Sequence, residues 1–158
     1  MSPNRFSRRL RMFLAYGPAR QALVAEAAVS LLAARLMLLR MPFQRLAARW
    51  GDFQPSSAGE VVAPAGPLYQ RQTAQAIGWA VRAAASAVPF KAMCLQQAVA
   101  ARSMLARRGI ASVIHYGAGR DGDGALIAHA WLDAAGEEVT GYPVGAMIAE
   151  IGAFVPQR

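Results

Sequence analysis

Residues 94–110 read CLQQAVAARSMLARRGI, and the assignment of the fold depends on this stretch. The stretch begins at Cys94, the only cysteine in the chain, and together with the residues just before it predicts a helix over 92–108. Two arginines in the last turn and Gly109 just beyond it are typical of a helix end. Residues rich in β-formers follow directly in 110–116 (IASVIHY), so the chain changes there from helices to strands.

Downstream of this change, the sequence predicts an antiparallel sheet. The segments 125–133 (ALIAHAWLD) and 138–144 (EVTGYPV) read as strands, and 146–158 (AMIAEIGAFVPQR) adds one weaker element. The glycine-rich GAGRDGDG and the short AAGE read as the turns that connect these strands. Helices followed by an antiparallel meander define an α+β fold.

Upstream, the sequence predicts two helices, a linker and a further helix. Residues 19–41 are strong helix formers that follow a proline, and 43–50 form a shorter helical stretch before a glycine. The segment 51–67 (GDFQPSSAGEVVAPAGP) has the composition of a linker. We therefore expect a basic, apolar helical extension over 1–50, a linker over 51–67 and a domain over 68–158 that begins with a helix.

Positive charge is concentrated in the first third of the chain. Residues 1–50 contain nine arginines and one acid, Glu26, whereas the remainder is balanced. Glu26 and Arg35 interrupt the apolar run, and the eight uncharged residues between them are far fewer than the roughly 20 that span a bilayer. We expect no spanning helix, although this segment suits peripheral contact with an anionic membrane. The single cysteine and the lack of a signal-peptide pattern favour a cytoplasmic protein.

Nucleotide and metal chemistry are not expected. Residues 117–122 match G-x-G-x-x-G literally, but a dinucleotide site needs a helix after the glycines, and here a strand follows. Asp121 and Asp123 are too few acids for a calcium loop, and one cysteine with two histidines does not make a convincing zinc site. We predict no cofactor, no metal and no nucleic-acid partner.

Cys94 and His129 are the candidate catalytic pair. A lone cysteine is most often a small buried hydrophobe. Cys94, however, lies near the start of its helix, where the helix dipole and free N–H groups stabilise a thiolate and an oxyanion. A histidine on a downstream strand supplies the base that a cysteine nucleophile needs.

Strand alternation distinguishes the two histidines. It places His129, Trp131 and Asp133 on one face of the second strand, with small apolar residues on the other. A polar and aromatic face is typical of a strand that lines an active site. His115 shares its face with Val113, and we interpret it as a structural histidine.

The chain resembles a known group of enzymes at this point. A helix that opens with CLQQAVAARSMLARRGI, then a strand, then AHAWLDAAGEEV, is similar to the transglutaminase-like cysteine proteases. It most closely resembles the lasso-peptide leader peptidases, which remove the leader from a ribosomal precursor. The resemblance covers 89–144 well, and it implies a transglutaminase-like or papain-like core with an N-terminal helical extension.

The resemblance also implies roles for individual residues. Cys94 matches the nucleophile and His129 the general base. The family's third residue, an acid that orients the histidine, is expected in VTGY at 139–142, where no acid is present. Asp133 is therefore the predicted third catalytic residue, although it lies about 7 Å from His129 along the strand. A backbone carbonyl or Tyr142 could orient the ring instead.

The family reading implies two partners besides the leader–core precursor: a leader-recognition protein and an ATP-dependent cyclase that closes the lasso ring. The helical, basic and apolar N-terminal segment could dock the cyclase, the recognition protein or the membrane. Two other functions stay open on the sequence alone. One is a transglutaminase-like acyltransferase that uses the same cysteine–histidine pair. The other is a non-enzymatic, basic membrane- or partner-binding protein in which Cys94 is simply buried.

Overall fold

The computed structural model describes residues 16–156. In chain order the elements are α1 (Pro18–Arg40), α2 (Phe43–Trp50), β1 (Asp52–Pro55), a short 3-10 helix (Ser56–Ala58), α3 (Leu68–Ala87), α4 (Cys94–Ala106), β2 (Ser112–Arg120), β3 (Leu126–Ala134), β4 (Glu137–Thr140) and β5 (Ile148–Val155). Four α-helices and a five-stranded antiparallel sheet form the described part of the chain, so the α+β prediction is confirmed.

The long helices α1, α3 and α4 share one hydrophobic core with the sheet. Small residues line the contact between α1 and α4, including the fully buried Ala27, Ala98 and Ala101. Alanine keeps helix propensity high and lets two helix backbones approach closely. Leu31 fills the space that remains, and it too is fully buried. Helix α1 therefore forms part of the same core as the helix that begins at Cys94.

An ion-pair cluster fastens α1 to the end of α4. Both oxygens of Glu26 are paired, with Arg107 Nη2 at 2.8 Å and Arg108 Nη2 at 2.7 Å. Hydrogen bonds from Arg108 and Arg107 lower the pKa of Glu26 to about 2, although partial burial by itself would raise it. The one acid of the N-terminal third is thus neutralised by the body of the protein.

We expect Glu26→Gln to lower the free energy of unfolding by about 1–2 kcal/mol at pH 7, because two arginines lose their carboxylate partner. A lowered folded-state pKa means that this stability is present above the ordinary value of 4.5 and is lost as the pH falls toward about 2. Denaturant unfolding of both proteins from pH 7 to pH 2 measures the difference, which should shrink with acid. The same substitution at the exposed Glu60 is the control, and equal losses at both positions would contradict this account.

Helix α1 also meets the length and composition of a membrane-crossing helix, with a part-buried apolar window. Its two interior charges are both engaged with the protein. Glu26 is ion-paired as above, and the Arg35 guanidinium lies 4.9 Å from the centre of the Phe90 ring. One side of α1 is therefore held against the body by packing and by charge.

The strand order in the sheet is β1-β5-β2-β3-β4. Strands β2, β3 and β4 form the predicted meander, but β5 returns to the other side of β2 and is a full strand of eight residues. Strand β1 pairs with β5, and it lies inside 51–67, the segment whose composition indicated a linker. Edge strands tolerate proline. A segment with the composition of a linker can therefore contain a short edge strand.

Strand β2 continues through the glycines that were predicted to be loop, and ends at Arg120. Neighbouring backbone is the reason for glycine here. A Cβ on Gly119 would lie 1.9 Å from the Met147 carbonyl oxygen, where the chain enters β5. The turn itself is the short stretch after Arg120, closed by a hydrogen bond from the Asp121 N–H to the Ala125 carbonyl. Gly117 and Gly119 thus allow the close pairing of β2 with the chain at β5.

The two faces of the sheet have different neighbours. On one face, Ile114, Leu132 and Val139 join the core that contains the helices. The other face carries a small apolar cluster of Val113, Ala153 and Ala63. The polar and aromatic residues of β3 lie on this second face, which is where the candidate site is found.

Candidate active site

Cys94 is the first residue of α4 and is partly buried. Glutamine side chains fix the entry to this helix. Gln96 Oε1 accepts a hydrogen bond from the Met93 N–H at 3.0 Å, and Gln97 Nε2 donates to the Ala92 carbonyl at 2.9 Å. The first bond satisfies an N–H group that a helix start leaves without an intrahelical partner, and the second fixes the residue before the N-cap. The cysteine is thus carried by a well-fixed helix N-terminus, where the helix dipole favours negative charge.

His129 on β3 makes a hydrogen bond that decides its tautomer. Its Nε2 lies 2.6 Å from the Gly141 carbonyl oxygen. A carbonyl oxygen only accepts, so the hydrogen must be on Nε2. In a neutral imidazole the other nitrogen is then an acceptor, which leaves Nδ1 with a lone pair for a proton. The ring has the form that a general base requires.

Gly141 occupies a position that no other residue fits easily. Its φ is +85°, and a Cβ there would lie 2.5 Å from the Ala130 carbonyl oxygen and 2.7 Å from Trp131 Cα. Both the left-handed backbone and the close approach to β3 require glycine. This close approach brings the Gly141 carbonyl to His129. Sequence reasoning named a backbone carbonyl among the candidates for orienting the ring, but it did not identify Gly141.

Asp133 does not contact His129 in the structure. Its Oδ1 accepts a hydrogen bond from the Tyr142 hydroxyl, and its Oδ2 lies 3.2 Å from Nε2 of His115. Burial, followed by the hydrogen bond to Asp133, raises the pKa of Tyr142, so the phenol stays protonated and donates. Asp133 is therefore connected to His129 only indirectly, through Tyr142 and its neighbour Gly141.

His115 is buried between two carboxylates. Its Nδ1 is hydrogen-bonded to Glu150 at 2.8 Å, and its Nε2 forms an ion pair with Asp133 that is not aligned as a hydrogen bond. Burial by itself lowers the pKa of His115, but the two carboxylates outweigh it and the net direction is upward. Such a ring favours the imidazolium form, with both nitrogens as donors. This environment agrees with a structural role.

Trp131 joins the two histidines. Its ring lies parallel to His115 at a centroid distance of 5.5 Å, and it stacks on His129 at 5.8 Å. The three rings form a row across β2 and β3, as strand alternation predicts for residues of one face. The row limits rotation of His129 on the side that faces Trp131.

The structure brings His129, Trp131 and Asp133 onto one face, but it does not join Cys94 to either histidine. Among residues 16–156, no hydrogen bond connects the Cys94 sulfur to an imidazole nitrogen. Helix α4 packs against the opposite face of β3, which carries Leu132. The same described residues contain no cluster of three or more His, Cys, Asp or Glu that could hold a metal ion.

A comparison with protein families gives the class of the chain. Residues 37–149, most of its length, match the family model described as the transglutaminase-like superfamily. The chain belongs to the transglutaminase-like superfamily, whose fold serves cysteine peptidases and acyltransferases. The match includes Cys94, His129 and Gly141. No curated protein and no solved structure matches the chain.

Proposed function

We propose that this protein is a cysteine peptidase that removes the leader from a ribosomally made precursor during lasso-peptide maturation. Cys94 is the nucleophile and His129 the general base. Superfamily membership supports cysteine-based acyl chemistry. The narrower assignment is supported by the sequence set of a helix-opening cysteine, RRGI and AHAW, which resembles that of the leader peptidases.

The hydrogen bond from His129 Nε2 to the Gly141 carbonyl is the observation that carries the catalytic assignment. It fixes the tautomer and leaves Nδ1 as the basic atom. Orientation of the base by a third group is the usual requirement of cysteine–histidine catalysis. We assign that task to the Gly141 carbonyl, which stands in the segment where the family resemblance predicts an acid.

The proposed reaction has two steps. The Cys94 thiolate attacks the carbonyl carbon of the scissile bond, and protonated His129 gives its proton to the departing amine. Water then attacks the thioester while His129 Nδ1 takes its proton, which releases the leader acid and restores the Cys94 thiolate beside protonated His129. In this proposal the N–H groups at the start of α4, which begins at Cys94, stabilise the oxyanion. Because α4 packs against the face of β3 opposite to that of His129, the proposed catalysis requires a rearrangement that brings Nδ1 and the sulfur within about 3.5 Å in the complex with substrate.

Asp133, predicted from the sequence as the third catalytic residue, has an indirect part in this proposal. It accepts the hydrogen bond of Tyr142, the residue that follows Gly141. A fixed Tyr142 limits the movement of the Gly141 carbonyl and hence of the His129 ring. Asp133 and Tyr142 are positioning residues in this scheme.

We expect Tyr142→Phe to lower kcat about three- to tenfold and to leave KM nearly unchanged, because the base is less well oriented while substrate contacts persist. Asp133→Asn should also lower kcat. Steady-state kinetics with thermal melts separates this from loss of fold, and Tyr69→Phe at an exposed position is the matched control. An unchanged kcat in Tyr142→Phe would remove both residues from the mechanism.

The partners follow from the proposed reaction. A leader-recognition protein would present the precursor, by strand addition in one common mode, and an ATP-dependent cyclase would close the ring after leader removal. All of these would act in the cytoplasm, with the peptidase at or near the membrane. These partners rest on the resemblance to the leader peptidases.

The test of this function is incubation of the full chain with the leader–core precursor, with and without the recognition protein, followed by mass spectrometry. Expected products are free leader and free core. A primary amine added in excess distinguishes an acyltransferase, because the leader would then gain the mass of the amine in place of water. An intact precursor in the presence of both partners would overturn the proposal.

A further inference from the structure

Helix α1 presents an exposed aliphatic ridge on its outer side. Val29, Leu32, Leu36 and Leu39, which we call the α1 ridge, are 68%, 48%, 40% and 70% exposed. Their spacing of three, four and three residues places them in one stripe along the helix. Four large aliphatic side chains in a row are an unusual surface for a protein free in water.

The ridge is not the result of a loosely attached helix. The other side of α1 is buried in the core through residues such as Ala27, Leu31 and Ala34, and Glu26 is bound by two arginines of the body. The orientation of α1 about its own axis is thus fixed. Its aliphatic side is directed outward by the packing of its opposite side.

Positive charge accompanies the ridge. Arg40 at the end of α1 and Arg45 and Arg49 on α2 are exposed, and Phe43 at the start of α2 is 46% exposed. Glu26 is the only acid among residues 16–50, and its charge is already neutralised. Helices α1 and α2 therefore carry exposed aliphatic side chains together with exposed arginines.

We infer that α1 and α2 dock the protein on the surface of an anionic lipid bilayer, with the α1 ridge in the acyl boundary and the arginines at lipid phosphates. This is the composition of helices that lie in a membrane interface, where apolar burial and attraction to anionic lipids act together. The helix lies along the surface and does not span it, because spanning would strip Glu26 and the buried alanines from the core. The inference is independent of the proposed peptidase activity.

Charge argues against a second copy of the chain as the occupant of this surface. A second copy of the chain would bring arginines against arginines, which costs free energy at an interface. Anionic lipid satisfies both the aliphatic and the cationic parts of the surface.

Vesicle co-sedimentation of the full chain tests the inference. The chain should bind vesicles rich in phosphatidylglycerol, should bind vesicles of pure phosphatidylcholine weakly, and should be released by high salt. Leu39→Gln should weaken binding about tenfold, since one aliphatic side chain no longer enters the acyl boundary. Leu68→Gln is the matched control, because Leu68 is 67% exposed at the start of α3, outside the ridge, and should have no effect.

Several results would overturn the inference. They are no binding to the anionic vesicles, equal binding to both kinds of vesicle, and resistance of the bound protein to high salt and alkaline extraction, which would indicate a spanning helix. A dimer in sedimentation velocity that Leu39→Gln dissociates, without vesicle binding, would assign the ridge to a second copy. Cys94→Ala should bind vesicles as the natural chain does, so failure here and failure of the peptidase proposal are distinguishable.

Discussion

Cys94→Ala is expected to reduce leader removal to background, a loss of at least about a thousandfold, because the thioester intermediate has no nucleophile. The fold should persist. Cys94 is a partly buried residue at a helix start, and alanine is the best helix former. Mass spectrometry of the precursor gives the rate, and thermal unfolding shows that the variant is folded.

The control for this prediction is thiol alkylation of the natural chain. Rapid alkylation of the folded protein at neutral pH is expected for a reactive Cys94, and slow, incomplete alkylation favours the alternative in which the cysteine is buried and inert. Cys94→Ser keeps the size and polarity of the side chain and should be as inactive as the alanine variant. Leader release at the natural rate by either variant would exclude Cys94 as the nucleophile.

The same substitution is expected to remove activity at His129 and to remove stability at His115. His129→Gln is expected to lower kcat/KM about a thousandfold with little change in stability, because its ring is only partly buried and bonded to one carbonyl. Precursor cleavage and denaturant unfolding, measured on one preparation, check both statements.

His115→Gln should cost about 2–4 kcal/mol of unfolding free energy, because Asp133 and Glu150 lose the cation between them. The pKa of His115 is raised in the folded state, so this stabilisation is complete below the ordinary value of 6.5 and is lost as the pH rises through the folded-state value. Denaturant unfolding between pH 6 and pH 9 should show the cost shrinking. If His129→Gln and His115→Gln lost the same amount of activity and the same amount of stability as each other, their separate roles would be contradicted.

The sequence predicted those parts of the fold that depend on periodicity and on helix ends. The helix that begins at Cys94, the α+β order and the shared face of His129, Trp131 and Asp133 follow from local patterns, and the structure agrees. Periodicity is reliable here because packing on one face repeats along each element. The pattern says nothing about which strands become neighbours.

The features missed by sequence reasoning depend on contacts between distant segments. Strand β1 forms by pairing with the end of β5, and β5 reaches its full length by pairing with β2. Their glycine- and proline-containing sequences carry little strand signal. The acceptor of the His129 hydrogen bond is a backbone carbonyl, and every residue has one. Only the close approach of Gly141 to β3, a long-range contact, selects this carbonyl.

The burial of α1 has a consequence for attempts to cut the protein into modules. A shortened chain that begins at residue 68 would keep Cys94 and His129 but would lose Leu31 and Ala27 from the core and β1 from the sheet edge. The exposed backbone of β5 would then be open to pairing with other chains. We expect such a fragment to aggregate, so exchange of the N-terminal helices between related enzymes needs matching residues on α3 and α4.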